Sequence, residues 1–464
     1  MTPPHTLFVI GVKGQRFDSK REILEKEKEI LEGNRRQLQA KQDKETKLKK
    51  IEDEIRKIDA ELKKVDDDRL EDLEKYIEPL INTDDVFTEV HLGGNSYSPD
   101  ACRKLGLLLR KQKKLETIRL DDLFTGRLLS EIPTALYSLL RPLLDVHTLQ
   151  TVDLSDNAFG VNTKDPLVEF LRAHLPLRHL ILNNNGLGPE AARSNPEIKY
   201  EIPALETIVC GRNRLEAGSM EAWARAIKAN GKGLRTIRMK QNGIYSKGVV
   251  KLLNTGICHA PELEVFDLED NTYGKEGSVA LAAVLSGLPS LRELGVDDCA
   301  LTAKGWLRVA KVLSAGGNTK LEILKLKGNE INGKGVGALV HVAKTSLPAI
   351  KKVFLNANAF DEDNENIMRL QELLKRRKAR FGKNDEEDAW GLDELDELEG
   401  EEEEEEEEEE EWEWESVATD TEIDIQAKAE HIPTEADVAE NQSVVQNVDK
   451  TVDELGEKLK STTI

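Results

Sequence analysis

The sequence predicts an α/β solenoid, a curved array with parallel strands on its inner face and helices on its outer face. Three observations carry this expectation. The phrase L-x-x-[LIVF]-x-[LMVC]-x-x-[NC]-x-[LIVFY] starts at Leu149, Leu177, Leu205, Leu234, Leu263, Leu291, Leu321 and Ile350, with degenerate copies at Phe87 and Leu115. Successive starts lie 28, 34, 28, 28, 29, 29, 28, 30 and 29 residues apart, the signature of one stacked repeat rather than of separate domains. Within each copy, apolar alternation marks a short strand and the stretch after the Asn takes helical spacing, as at Val279, Leu281, Ala282 and Leu285.

The elements follow in order. Residues 1–19 hold the segment LFVIGVKGQRF (7–17), which reads as a single capping strand of the array. Residues 20–69 form a charged helical insertion. In it Leu48, Ile51, Ile55, Ile58, Leu62 and Val65 make an a/d seam, so a helical hairpin or self-association through residues 48–65 is expected. Ile23, Leu24, Ile30, Leu31 and Leu38 give an earlier seven-residue rhythm, interrupted at Gly33-Asn34. Residues 70–383 are the leucine-rich-repeat domain with its terminal caps. Its last helix, 364–378, ends in a basic cluster that complements the helix dipole. Residues 384–416 are an acidic tail with eleven consecutive Glu at 401–411, too polar to fold alone. Residues 417–464 read as a further disordered tail with one short helical face, Val448, Val452, Leu455 and Leu459.

Charge and composition exclude several classes. The net charge of −22 equals the number of Asp and Glu in residues 384–416, which hold no Lys or Arg, so the remainder is near neutral. Nucleic acid is therefore not expected as a ligand, since phosphate binding needs a basic surface. No apolar run is long enough for a membrane span. The four cysteines match no zinc spacing, and scattered thiols suit a reducing compartment, the cytosol or nucleus. Gly328-NEIN-Gly333-Lys334-Gly335 comes within one residue of a P-loop, but Gly335 stands where the Mg²⁺-binding hydroxyl belongs. Trp390, Leu392, Leu395 and Leu398 have a nuclear-export-like spacing inside the acidic tail. No cofactor and no catalytic constellation are expected.

Candidate functional residues come from what breaks or decorates the period. The 34-residue interval contains six extra residues, Phe124-Thr125-Gly126-Arg127-Leu128-Leu129, directly after a strand, where an insertion projects on one face of the array. Two variable residues precede each repeat Asn and are expected to point out, without packing duty. They include Asp156, Asn183, Asn184, Arg212, Lys240, Gln241, Glu269, Asp270, Asp297 and Asp298. The repeat asparagines Asn157, Asn185, Asn213, Asn242, Asn271, Asn329 and Asn358 are structural, whereas Asn184 is exposed beside them. The acidic stretches at 269–270 and 297–298 would suit a basic partner.

The 28–29-residue period with full helices resembles the ribonuclease-inhibitor type of array. Five segments, LFTGRLLSEIP (123–133), TVDLSDNAFG (151–160), NNNGLGPEAA (183–192), IVCGRNRLEAGSMEAWA (208–224) and DLEDNTYGKEGSVALA (267–282), resemble in order the Ran GTPase-activating protein family. GVKGQRFD (11–18) and LEDLEKYIEPLINTDD (70–85) resemble its cap. The resemblance implies a crescent that binds Ran in its GTP form, alone or with a Ran-binding protein. It would speed hydrolysis within Ran's own site, with no active site of its own. It places the family's essential arginine on Arg127, as an organiser of the interface, and its switch-facing asparagine on Asn184. It further implies a cytoplasmic protein serving nucleocytoplasmic transport, with the nuclear envelope or nucleus as further placements. Two departures stand out: the insertion at 20–69, and the short segment 190–204, whose Pro196 and Pro203 disfavour a backing helix. The alternative is an interaction scaffold, such as the acidic leucine-rich nuclear phosphoproteins that bind histones; their shorter repeats and lack of an FTGR insertion argue against it.

Overall fold

Each copy of the repeated phrase becomes one three-residue strand beginning two residues after the start of the phrase. The computed structural model describes residues 7–39 apart from 12 and 19, 53–58, 71–192, 202–382, 385–398 and 400. From the N-terminus come β1 (Leu7–Val9), β2 (Arg16–Phe17), α1 (Lys20–Gln39), α2 (Glu71–Asn82), β3 (Glu89–His91), β4 (Ser96–Tyr97) and α3 (Pro99–Leu109). Next are β5 (Thr117–Arg119), α4 (Ile132–Leu143), β6 (Thr151–Asp153), α5 (Lys164–Ala173), β7 (His179–Ile181), α6 (Gly188–Ala192) and β8 (Thr207–Val209). The second half runs α7 (Met220–Asn230), β9 (Thr236–Arg238), α8 (Ser246–Thr255), β10 (Val265–Asp267), α9 (Gly274–Leu285), β11 (Glu293–Gly295) and α10 (Ala303–Ser314). It closes with β12 (Ile323–Lys325), α11 (Gly333–Thr345), β13 (Lys352–Phe354), α12 (Glu365–Phe381) and β14 (Gly391–Leu392).

Twelve strands form one sheet in the order β1-β3-β5-β6-β7-β8-β9-β10-β11-β12-β13-β14, and β2 pairs with β4 in a second, two-stranded sheet. Pairing is parallel and keeps the repeat in register: Val152 faces Leu180, Leu180 faces Ile208, Ile208 faces Ile237 and Ile237 faces Phe266. These central residues are buried, while their strand neighbours turn to the concave face, because successive side chains point to opposite sides of a sheet. The expected α/β solenoid of parallel strands backed by helices is therefore borne out. Its core is continuous, from Phe8 and Phe17 at one end to Phe360 and Leu374 at the other. Removing a leucine side chain from such a core costs about 2–5 kcal/mol, so each copy of the phrase stabilises its neighbours.

The ends differ from the sequence reading. Residues 7–17 are not one strand. The chain turns through Gly14 (φ +72°), whose amide donates to Gly94 O at 2.7 Å, so β1 extends the large sheet and β2 the small one. α1 runs unbroken through Gly33-Asn34, where an interruption was expected; its Leu24 is buried and Ile23 and Ile30 are exposed. Of the 48–65 seam only residues 53–58 are described, as a helical segment, so self-association through that seam lies outside the described residues. The same holds for the helical face at 448–459 and, beyond α6, for residues 193–201.

The array does not stop at residue 383. The first part of the acidic segment supplies its closing strand, β14, parallel to β13. Asp393 accepts from the backbone amides of Leu355 (2.8 Å) and Asn356 (3.2 Å) and pairs with Lys327 at 3.2 Å. Leu392, Leu395 and Leu398 pack on the core, so the export-like spacing is the apolar face of a cap. The basic end of α12 also works across elements. Arg377 donates to Ala343 O (2.6 Å), Leu347 O (2.9 Å) and Ile350 O (3.2 Å), satisfying carbonyls at and beyond the end of α11. A chain ending at residue 383 should therefore melt roughly 5 °C or more below the full chain, whereas one ending at residue 400 should match it. Circular-dichroism melts compare the three, and equal midpoints for all of them would contradict the capping role.

Candidate partner-binding site at the strand ends

The exposed candidates are set in place by the buried asparagines. Asn213 donates from Nδ2 to Leu182 O (2.7 Å) in the preceding repeat and to Gly211 O (2.8 Å) in its own, while its Oδ1 accepts from Asn185 N at 3.0 Å. Asn157, Asn185, Asn242, Asn271, Asn329 and Asn358 are likewise buried in backbone hydrogen bonds. The turn this imposes puts the preceding residue in the left-handed region: φ is +61° at Asp156, +52° at Asn184, +55° at Arg212, +52° at Gln241 and +56° at Asp270. Asp298, at +51°, holds the same position before Cys299, which takes the ladder place of Asn in its repeat. Asn, Asp and Gly tolerate that region best, which gives the choice of Asp156, Asn184, Asp270 and Asp298 a backbone cause that Arg212 and Gln241 do not share. All six side chains lie at the surface, one per repeat, along the edge of the sheet where the strands end.

The other member is not free of packing duty at Asn183 and Asp297. Asn183 Oδ1 accepts from Gly211 N at 2.7 Å, and Asp297 Oδ1 from Lys327 N at 2.8 Å, a second ladder beside the first. At Gly211 a Cβ would stand 3.1 Å from Asn183 Oδ1 and 3.2 Å from Lys240 O, so a side chain there would press on the ladder. Asp297 is buried. Burial pushes its carboxyl up to about 7, partly opposed by the Lys327 amide and reinforced by Glu269. The acidic stretch is thus not a uniform surface. Glu269 pairs with Lys240, Asp297 lies beneath the rim, and Asp270 and Asp298 are exposed. Neighbouring rim residues also engage each other: Asn184 Nδ2 donates to Asp156 Oδ1 at 2.8 Å, and Arg212 Nε to Gln241 Oε1 at 2.7 Å.

Arg127 departs furthest from expectation. The insertion lies between β5 and α4, after the strand as expected, but the Arg127 side chain turns inward and is fully buried. Its Nε donates to Ser96 Oγ (3.0 Å), and its Nη2 to Phe17 O (2.9 Å) and Ser96 O (2.8 Å). Its Nη1 pairs with Asp18. The guanidinium therefore clamps β2 to β4. What the insertion exposes is Leu128 and Leu129. Asp122, at the base of the insertion, donates from its amide to Ser155 O at 3.0 Å and accepts from Thr125 Oγ1. Asp122, Asp156 and Asn184 occupy the same turn position in three consecutive repeats, so the loop and Asn184 share one edge of the array.

A charged cluster on the concave strands went unread in the sequence. Asp267, fully buried, meets Arg238 (2.8 Å), Lys240 (3.1 Å) and Lys325 (3.3 Å). Glu293 meets Arg238 at 2.7 Å and Lys325 at 2.5 Å. Burial alone would raise the Glu293 carboxyl, but those two cations hold it down at about 2. On the adjacent strand, a Cβ on Gly295 would lie 2.5 Å from the Asp267 carboxylate, so that residue's lack of a side chain makes room for the cluster. The signal available in the sequence was Asp267 within the most regular part of the array. The P-loop-like segment is an ordinary repeat turn, with Asn329 in the ladder and Asn332 capping α11 through Gly335 N. Among the described residues, no group of three or more His, Cys, Asp or Glu could hold a metal ion, and no helix is long and apolar enough to cross a membrane.

Fold and rim together define a leucine-rich-repeat protein with one insertion-bearing edge, and a family model described as Leucine Rich repeat matches residues 317–340. Ran GTPase-activating protein 1 of Saccharomyces cerevisiae is 35% identical over 317 residues, covering 65% of this chain and 78% of that protein. The Ran GTPase-activating protein of Drosophila melanogaster is 32% identical over 303 residues, and the chain spans 50% of its length. Ran GTPase-activating protein 2 of Caenorhabditis elegans is 39% identical over 167 residues, 17% of its length. The chain belongs to the Ran GTPase-activating protein family.

The buried Asp297 gives a pH test of the rim. In the unfolded chain an aspartate ionises near pH 3.9. With the folded value at about 7, the folded state binds more protons between those limits, so this group lowers stability as pH rises through that window. Asp297→Asn keeps an acceptor for the Lys327 amide and removes the titration. It should raise the melting temperature at about pH 8 and leave it nearly unchanged at about pH 4. An equal change at both pH values would count against a titrating Asp297.

Proposed function

We infer that the protein is a GTPase activator for Ran, binding Ran in its GTP form and accelerating hydrolysis inside Ran's own site. The observation that carries this is the family match over 78% of the yeast relative, on a repeat array whose insertion and exposed Asn184 share one edge. Arg127 does not act as an inserted finger, since its donors are spent on Phe17, Asp18 and Ser96. It acts by holding the insertion in shape, and the exposed Asn184 amide, steadied by Asp156, acts on the partner. Such a device aligns groups the GTPase already owns, and pre-organisation of this kind accounts for large rate effects. The cell would use it in the cytoplasm to keep the GTP form of Ran scarce and so give nuclear transport its direction. A Ran-binding protein in the same complex, and a presence at the nuclear envelope, belong to the same reading. Nothing specific favours the histone-binding alternative.

Trace protein mixed with GTP-loaded Ran should release phosphate at many turnovers per activator. In single-turnover reactions with saturating activator, Arg127→Ala should lower the plateau rate roughly a hundredfold. Asn184→Ala should lower it about tenfold while keeping the wild-type melting temperature. Arg127→Ala should also melt earlier, because it strands Asp18 and three backbone or hydroxyl acceptors at the cap. A wild-type plateau from Arg127→Ala would remove the insertion from the mechanism, and no stimulation by the wild-type protein would sink the function itself.

A further inference from the structure

The first helix of the charged insertion is tied to the same clamp that holds Arg127. Asp18 directly follows β2, and its carboxylate is 10% exposed. It pairs with Arg127 and accepts from Arg16 Nε at 2.6 Å. Lys26, on the second turn of α1, lies 3.7 Å from Asp18 Oδ1 and 2.7 Å from Glu131 Oε1. Glu131 immediately precedes α4, two residues beyond the end of the insertion, where the loop enters the helix. Its other oxygen is buried without a hydrogen bond, 4.0 Å from Arg127 Nη1. Arg127, Asp18, Lys26 and Glu131 thus form a closed ring of alternating charge: the loop arginine, the cap aspartate, the α1 lysine, and the carboxylate at the far end of the loop. Burial alone would raise the Asp18 carboxyl, but Arg127 and Arg16 outweigh it and hold it below the ordinary value, so it stays ionised. A second tether acts nearby, where Glu22 of α1 accepts from Asp100 N at 3.1 Å, in the first turn of α3.

We propose that Asp18 and Lys26 are positioning residues for the activating loop, Asp18 by setting the Arg127 guanidinium and Lys26 by joining Asp18 to Glu131 so that both ends of the loop are held from α1. The proposal rests on the GTPase-activator reading and extends it to the insertion, whose first helix becomes part of the loop's support. The physical reason is geometric. A loop that exposes Leu128 and Leu129 presents them in one orientation only if both of its stems are held. Arg127 holds the middle from inside, and Glu131 holds the exit. The Lys26 ammonium touches both carboxylates. Both side chains are engaged within the chain, Asp18 with Arg127 and Lys26 with Glu131, so each acts through the loop.

Single-turnover hydrolysis of Ran-bound GTP, titrated with activator to a plateau, tests the idea on the full chain. A variant that merely unfolds in part is compensated by excess activator: its half-saturation point moves and its plateau does not. Asp18→Asn, which keeps shape but loses charge, should lower the plateau roughly tenfold to a hundredfold. Lys26→Met, at a partly exposed position, should lower it roughly two- to fivefold. Glu131→Gln combined with Lys26→Met should be no worse than the stronger single variant, since both break one link. Hydrogen exchange should quicken at 120–131 in Asp18→Asn and Lys26→Met while α9 stays protected. Wild-type plateaus in both single variants, with an active wild-type protein, would overturn the proposal and leave the activator function standing. An inactive wild-type protein would remove both.

Discussion

A buried asparagine that serves three backbone groups at once is the interaction on which the rest of this structure depends. Where a parallel strand ends and the chain turns toward its helix, carbonyl groups lose their sheet partners. Leaving one such group unmet inside a core costs about 1–3 kcal/mol. Asn213 meets Leu182 O, Gly211 O and the Asn185 amide, and the same arrangement recurs along the array. Because Asn213 must sit inward, the residue before it is forced outward and into the left-handed region. The exposed rim is thus a geometric consequence of the ladder. Asp156, Asn184, Arg212, Gln241, Asp270 and Asp298 are displayed at a regular pitch by a device whose first task is to satisfy backbone.

A solenoid grows along one axis and leaves an unsatisfied end at each side. Both ends are closed here by short strands from segments outside the repeat phrase, and each closure is secured by charge. At the C-terminus Asp393 takes the two backbone amides that another repeat would have met. At the N-terminus Arg127 joins β2 to β4. That second closure bears on the proposed function, since the clamping arginine belongs to the insertion that breaks the repeat period. The cap and the candidate activating loop are therefore a single object. On the proposed reading, loss of Arg127 would strike both stability and alignment, which is why only a saturating plateau separates them.

Charge on the array is largely settled internally. Arg178 meets Glu206 at 2.5 Å, and Arg235, Glu264, Arg292, Glu322 and Lys351 alternate in sign from repeat to repeat just before their strands. On the concave face Asp267 and Glu293 are surrounded by Arg238, Lys240 and Lys325. The exposed pairs just before the strands contribute little each, about 0–1 kcal/mol, but they leave the array nearly neutral. The excess acidity belongs to residues 384–416, most of it beyond the last strand, where it can influence encounter with a partner.

The period, read along the chain, was enough to determine the strands, their parallel order, the burial of Asn157 through Asn358 and the exposure of Asn184. Each of these follows from a pattern that repeats within about thirty residues and needs no distant partner. The burial of Arg127 could not be read that way, because its acceptors Phe17, Asp18 and Ser96 lie 110, 109 and 31 residues away. The closing strand β14 was hidden by composition. An acidic stretch looks unable to fold until the edge of β13 and the Leu355 and Asn356 amides are waiting for it. Asp297 was read as surface because its phase was right and its depth was not. Depth depends on how far the neighbouring turn at Lys327 overhangs it, and that is a property of stacked repeats rather than of any one. The local period thus determined the array, while the two ends and the depth of the rim were decided by contacts that exist only once the repeats are stacked.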